Sequence, residues 1–273
     1  MEIMTSTTNT SQTDSAHEPA ASTGGGAQTL LRGLDVLEAV ADQPMTATEL
    51  AETLGLTKST AHRLASALVD RGFLANTPRS GYRLGPRMLA LGHRAAEQAD
   101  IIQLARPHLE ALGAATEDTV HLGILDADQA SALYLDKIAG RRRINISSRV
   151  GERQPLTCTG LGKALILDHD ESWWAQRFAQ DQANGAPAAN PAVWQERMRS
   201  YARSGHAFDL EENEDRIRCV SAPVRNAAGK IVAAISVSSA AQYMDDARMV
   251  ALAGEVRATA EAISQDLGWS AAP

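Results

Sequence analysis

The stretch "LAETLGLTKSTAHRLASALVDRGFLA", residues 50–75, constrains the fold of this chain most tightly. Two short apolar rhythms are interrupted by Gly55, a residue able to take the left-handed conformation that ends a helix. Just upstream, "TATE" supplies Thr46 as an N-cap and Glu49 three residues later, the pattern of a capping box. After Gly55, Thr57 caps a further helix, whose Ala61, Leu64, Ala65 and Leu68 recur at the spacing of one buried face. Gly72 closes it. The period then changes to that of short strands, Phe73–Asn76 and Tyr82–Leu84, around the turn chemistry of "TPRSG". Ahead of all this, Leu30, Leu34, Leu37 and Ala41 predict a first helix over about residues 28–42, ended by Pro44. Three helices and a hairpin in this order make a winged helix-turn-helix.

Charge gives that module a partner. The chain carries a formal net charge of −7, yet between Thr57 and Arg94 seven basic residues (Lys58, Arg63, Arg71, Arg79, Arg83, Arg87, Arg94) meet one acid, Asp70. That segment is +6 and the remainder therefore −13. A basic segment in an acidic protein is a footprint for a polyanion. In a helix-turn-helix the second helix enters the major groove with its N-terminal residues at base edges. Its unpaired N–H groups and positive dipole end suit phosphate. Thr57, Lys58, Ser59, Thr60, His62 and Arg63 occupy that end, and Arg79 and Arg83 sit on the wing, within reach of phosphate or the minor groove. A merely solvated face accounts for Lys58 or Arg63 singly, but not for the ordered set of cap, turn, basic helix end and arginine-bearing hairpin. The partner expected is double-stranded operator DNA.

Residues 1–26 are rich in Thr, Ser, Gly and Ala and include Gly24–Gly26; with little apolar surface to bury, they are expected to form a disordered tail. They lack the basic start and apolar core of a secretory signal. No run approaches the ~18 apolar residues of a membrane helix. Cys158 and Cys219 do not make a disulfide framework. A cytoplasmic protein without membrane contact is expected.

The expected domains are a winged helix-turn-helix over 27–85, a linker helix opened by Pro86 over 86–99, and a larger α+β domain over 100–270. The larger domain begins with a helical pattern from Ile101 to about Ala115, where Pro107 predicts a bend or break. "TVHLGILDAD", "SALYLDKIAG" and "RRRINISSRV" read as strands, and "TGLGKALILD" turns helical. Helices are predicted over Trp173–Ala179 and Val193–Ala202, and a last one over about Asp245–Leu267. "IRCVSAPVRNAAGKIVAAISVSS" reads as a hairpin about Asn226–Gly229. The sheet is expected to be mixed or antiparallel.

The segment "LLRGLDVLEAVADQPMTATELAETLGLTKSTAHRLASALVDRGFLANTPRSGYRLGPRMLALG" resembles the DNA-binding domain of the IclR family of bacterial transcriptional regulators. "GERQPLTCTGLGKALI", "DLEENEDRIRCVSAPV" and "KIVAAISVSS" resemble three landmarks of that family's effector domain. The resemblance spans about residues 28–268 and implies a GAF-like ligand-binding domain behind the linker. It implies a homodimer or homotetramer on partly palindromic operators. It also implies an effector pocket around Thr157, Cys158, Thr159, Gly160, Asp209, Glu212, Cys219, Ser236 and Ser238. The effector expected is a small carboxylate metabolite, a sugar acid in preference to an aromatic acid because these positions are rich in hydroxyls.

The residues themselves agree with a small polar ligand. "TCTGLGKA" puts hydroxyls and N–H groups at a helix start, and Ser236 and Ser238, two apart on a strand, share a face. Ordinary capping is the competing account. "GLGK" lacks Walker spacing. Cys219 with Asp209 and Glu212 lacks a zinc signature, so neither metal nor cofactor is expected. Lys163 is a candidate aid to an anion, and "RRR" at 141–143 a charged edge strand, with Arg141, Arg143, Arg149 and Arg153 as alternative attractors of a carboxylate. Trp173 and Trp174 are expected in a core or an interface. Two rival functions are an enzyme using Cys158 as nucleophile, for which no base is supplied, and an architectural DNA-binding protein without a ligand.

Overall fold

A computed structural model describes residues 24–142 and 146–270. They divide into two compact units, with the division between Ala95 and Ala96.

The first unit holds α1 (Gly24–Ala39), α2 (Ala47–Thr53), α3 (Lys58–Asp70), a hairpin of β1 (Leu74–Thr77) and β2 (Gly81–Leu84), and most of α4 (Pro86–Gln98). The caps are those read from the sequence. Thr46 N–H donates to Glu49 Oε2 (2.7 Å) while Glu49 N–H donates to Thr46 Oγ1 (3.3 Å), completing the capping box of α2. Gly55 and Gly72 have φ of +62° and +74°. Val36, Val40, Leu50, Ala61, Leu64, Ala65, Leu74 and Tyr82 form the core. A backbone bridge ties the wing to the rest: Tyr82 N–H donates to Met45 O (2.7 Å) and Met45 N–H to Tyr82 O (2.9 Å). One expectation needs correction. Gly24–Gly26 lie in the first turn of α1, not in a tail, because a helix nucleated by its packed Val36 and Val40 propagates cooperatively through poor helix formers. The rest of that expected tail, residues 1–23, lies outside the described residues.

The second unit is a three-layer α+β sandwich. Its sheet, all antiparallel, has the order β5-β4-β3-β8-β7-β6, from β3 (Thr119–Leu125), β4 (Ala132–Ile138), β5 (Arg153–Gln154), β6 (Ala207–Leu210), β7 (Ile217–Arg225) and β8 (Ile231–Ala240). On one side α5 (Ile101–Thr116) and α9 (Asp246–Asp266) pack on Val120, Leu122, Val220, Ala222, Ile235 and Val237. On the other lie α6 (Gly160–Leu165), α7 (Glu171–Ala183) and α8 (Pro191–Ser204), around Leu161, Trp174, Phe178, Trp194 and Met198. Trp174 is buried and its indole N–H donates to Ile166 O (2.7 Å), whereas Trp173 stacks on His169 at 3.9 Å.

A break at Pro107 and, among the described residues, a strand over 141–150 are not found. Helix α5 continues through Pro107, because the hydrogen bond lost to Gln103 falls on the exposed face. "RRRINISSRV" forms no strand among its described residues; the carbonyls of Ile146 and Ser148 are taken by Lys137 Nζ, both at 2.7 Å, instead of by a ladder, and the sheet edge is Arg153–Gln154. Arg143 lies outside the described residues.

Candidate nucleic-acid interface and effector pocket

In the first unit, Thr57 caps α3: its Oγ1 accepts from Thr60 N–H (3.3 Å) and bonds the Thr60 and Ser59 hydroxyls at 2.8 and 3.2 Å. The three hydroxyls are thus knitted together at the helix start. With Ala61, Leu64 and Ala65 buried, Lys58, His62 and Arg63 face solvent, and no ion pair holds Lys58 or Arg63 among the described residues. On the wing, Arg79 stands exposed with φ +71°. Arg83, also exposed, makes only long contacts to Thr77 Oγ1 and Leu84 O, each 3.4 Å. Arg87, which sequence reasoning counted only as charge, lies over the Phe73 ring at 5.3 Å. One module therefore carries unpaired cations at the start of its second helix and on a hairpin, the two elements a winged helix offers to a duplex.

In the second unit, strand register lines up polar groups on the face turned away from α5 and α9. Asp209 pairs with Cys219 and Cys219 with Ser238; one row along, Ser221 pairs with Ser236 and Ser236 with His121. The alternation that buries Val220, Ile235 and Val237 under α9 sends these residues to the opposite side. There a cavity of about 40 Å³ is lined by Thr159, Asp209, Cys219 and Ser238, together with His121, Tyr134, Ile146, Ser147, Ser148, Gln154, Asn213, Glu214 and Ile217. No lysine or arginine among the described residues lines it.

Of the other expected residues, Thr157, Cys158 and Glu212 line a separate cavity of about 200 Å³ with Phe178, Gln182 and Trp194, and Gly160 and Ser236 line neither. Thr157 Oγ1 donates to Asp181 (2.8 Å), and its carbonyl accepts from the Trp194 indole N–H (2.7 Å). Thr159 lines the cavity, but its hydroxyl donates to Pro155 O (2.8 Å) and accepts from Gly162 N–H (3.0 Å) as the cap of α6. Gly160 lets α6 lie on the sheet: a Cβ there would stand 2.8 Å from Ser221 Oγ. Glu212 is paired with buried Lys163 and with Arg197 (3.0 Å), so neither Lys163 nor Glu212 is left for a ligand. Ser236 bonds His121 Nδ1 at 3.4 Å. Among the arginines, Arg142 is drawn to buried Asp118 (2.7 Å) and Arg153 to Asp126; Arg141 and Arg149 are exposed, and none of the four lines the cavity.

His121 and Tyr134 were missed by sequence reasoning. His121 Nε2 bonds Ser148 Oγ (2.7 Å), tying the sheet to the segment over the cavity. Burial, with the Lys137 charge second, holds this imidazole neutral, its pKa pulled down to about 3. The one signal was a histidine inside an otherwise apolar strand, "TVHLGIL". Asp209 is buried, and burial pushes its carboxyl up to about 6 against the Lys163 charge. Its Oδ1 accepts from Glu212 N–H (2.8 Å), the Asn213 N–H also donates to the carboxylate, and the Cys219 thiol stands 4.0 Å from Oδ2. Cys219 Sγ bonds Ser238 Oγ at 3.0 Å. Burial raises the Cys158 thiol to about 12, the reverse of what a nucleophile requires. No group of three or more His, Cys, Asp or Glu among the described residues is arranged to hold a metal. No described helix is long and apolar enough to cross a membrane.

Comparison with known proteins agrees with both halves. Residues 93–265 match the family described as bacterial transcriptional regulator IclR C-terminal, and residues 29–78 match the IclR helix-turn-helix domain. The DNA-binding transcriptional repressor YiaJ of Escherichia coli K12 is 33% identical over 255 residues, which cover 90% of this chain and 89% of YiaJ. The crystal structure of Pseudomonas aeruginosa HmgR shares the fold, with a TM-score of 0.77 at 23% identity over 90% of this chain and 100% of that one. So does that of an IclR homologue complexed with 4-hydroxybenzoate from Microbacterium hydrocarbonoxydans, with a TM-score of 0.54 at 22% identity over 88% and 99%. Both halves of the chain match this one family, and the chain belongs to the IclR family of DNA-binding transcriptional regulators.

Proposed function

We propose that the protein controls transcription as a homodimer whose operator affinity is set by a small carboxylate metabolite. The DNA contacts are assigned to Thr57, Lys58, Ser59, Thr60, His62 and Arg63 at the start of α3 and to Arg79 and Arg83 on the wing. Residues 27–85 serve as the DNA-binding domain, 86–99 as linker and 100–270 as effector domain. Dimerisation is supported by the exposed leucines of the first unit: Leu30, Leu31 and Leu34 on α1, and Leu89 and Leu91 on α4. A tetramer is the alternative assembly.

The observation that carries the effector assignment is the meeting of Thr159, Asp209, Cys219 and Ser238, contributed by four separate segments, in one polar cavity. Gly160, packed on Ser221, and Ser236, bonded to His121, support its walls, whereas Thr157, Cys158 and Glu212 line a second cavity of about 200 Å³. The hydroxyl-rich lining favours a sugar acid; the relative holding 4-hydroxybenzoate favours an aromatic acid as the second reading. At about 40 Å³ the cavity has room for roughly three waters, so it must widen to admit either. An effector acts by binding one arrangement of the DNA-binding units more tightly than another. The test is a thermal-shift panel of sugar acids and benzoates, followed by gel shifts on DNA flanking the protein's own gene. An acid that raises Tm and changes the shift supports the reading. A panel that moves neither overturns it.

A further inference from the structure

The cavity's charges are unusual for a site that takes an acid. Among the described residues two carboxylates line it, Asp209 inside and the exposed Glu214, and no ammonium or guanidinium does. The nearest cations are committed elsewhere. Lys163 pairs with Glu212, which also holds Arg197, and Lys137 spends its ammonium on the carbonyls of Ile146 and Ser148. A ligand carboxylate entering this cavity meets the Asp209 carboxylate with no cation among the described lining residues.

We infer that the pocket takes up its acidic ligand together with one proton, which settles on Asp209 so that a neutral carboxyl O–H donates to the ligand carboxylate. The inference rests on the effector reading above and adds its specificity: Asp209 makes acid binding proton-linked. The balance is simple: one carboxylate, one proton from solvent and one acidic ligand give a complex with a single shared negative charge.

The groups facing Asp209 leave it alone to titrate near neutrality. From β7 comes the Cys219 thiol, from β4 the Tyr134 phenol, from the segment before α6 the Cys158 thiol, and from α8 the Tyr201 phenol; burial raises all four, keeping them protonated. From β3, His121 stays neutral down to about pH 3. From α6, Lys163 remains in its pair with Glu212. Asp209, shifted to about 6, changes charge between pH 5.5 and 7.5.

The test is calorimetry on the full-length protein with D-gluconate, D-galacturonate and 4-hydroxybenzoate at pH 5.5 and 7.5, in buffers of different ionisation enthalpy. If only the protonated site binds, Kd should be roughly twentyfold lower at pH 5.5, with close to one proton taken up per acid at pH 7.5. Asp209→Asn should bind the same acid equally well at both pH values. Acid binding without proton uptake overturns this inference and leaves the effector reading standing. So does a folded Asp209→Asn protein that no longer binds. If that variant does not fold, the wild-type proton count decides. If no acid binds at either pH, the effector reading falls and this inference with it.

Discussion

Gly81 and Met45 are locked together: a Cβ added to Gly81 would stand 2.3 Å from the Met45 carbonyl oxygen, the same oxygen that accepts from Tyr82 N–H. Gly81 also has φ +83°, a conformation that only glycine adopts at no cost. Gly81→Ala should therefore destabilise the first unit by about 2–4 kcal/mol, backbone strain and overpacking each contributing. Chemical denaturation followed by circular dichroism checks this; a midpoint equal to wild type would show that the wing relaxes freely around the bridge.

Asp118 is a buried junction. Its Oδ1 accepts from Arg142 Nε (2.7 Å) and Ser239 Oγ (2.6 Å), and its Oδ2 from Arg248, which joins β3, the 141–142 segment, β8 and α9. Removing one partner of a buried ionic cluster leaves the others uncompensated, so Asp118→Ala should cost about 3–5 kcal/mol. A urea midpoint within error of wild type would refute the assignment.

On DNA, Arg63→Ala should weaken operator binding by about 1–3 kcal/mol and relax discrimination if the side chain reads a base. Lys58→Ala should weaken all sequences alike and reduce the salt slope by about one. Fluorescence anisotropy across a salt series separates the two; equal losses on operator and random DNA for Arg63→Ala would make it a phosphate contact.

Stability should depend on acid through two opposed groups. His121 is neutral when folded, its pKa held at about 3, but protonates when unfolded near 6.5; its contribution is present above 6.5 and is lost as pH falls toward 3, by about 1.4 kcal/mol per unit. Asp209 runs the other way: with its folded value near 6 and its ordinary one at 3.8, its contribution is full below 3.8 and is lost as pH rises through 6. Melting temperature between pH 6.5 and 4.5 should thus fall gently in wild type, rise in His121→Gln and fall more steeply in Asp209→Asn. Parallel curves for all three would contradict the burial of these groups.

How much of this was legible in the sequence follows the range of the interactions. The DNA-binding unit was read nearly residue by residue, since Thr46 with Glu49, Thr57, Gly55 and Gly72 are local signals whose partners lie within a few positions. The shared face of Ser236 and Ser238 followed from strand alternation alone. What sequence could not supply was register. Nothing in "DLEENED" announces that Asp209 stands opposite Cys219 on the edge strand β6, or that His121 stands opposite Ser236. Nor does "TCTG" disclose that its two threonine hydroxyls are spent on Asp181, Pro155 and Gly162. Hydroxyls at a helix start look alike whether they serve the fold or a ligand.

The central pairing of the sheet, β3 with β8, joins residues 119–123 to residues 234–238. A chain emerging from the ribosome therefore has a finished DNA-binding module long before it has a place for a metabolite. Such distant pairing also folds slowly, because its loop must close before any contact repays the entropy. Until β8 is made the second unit lacks the strand that carries Ser236 and Ser238, so the polar cavity is among the last features of the chain to be completed.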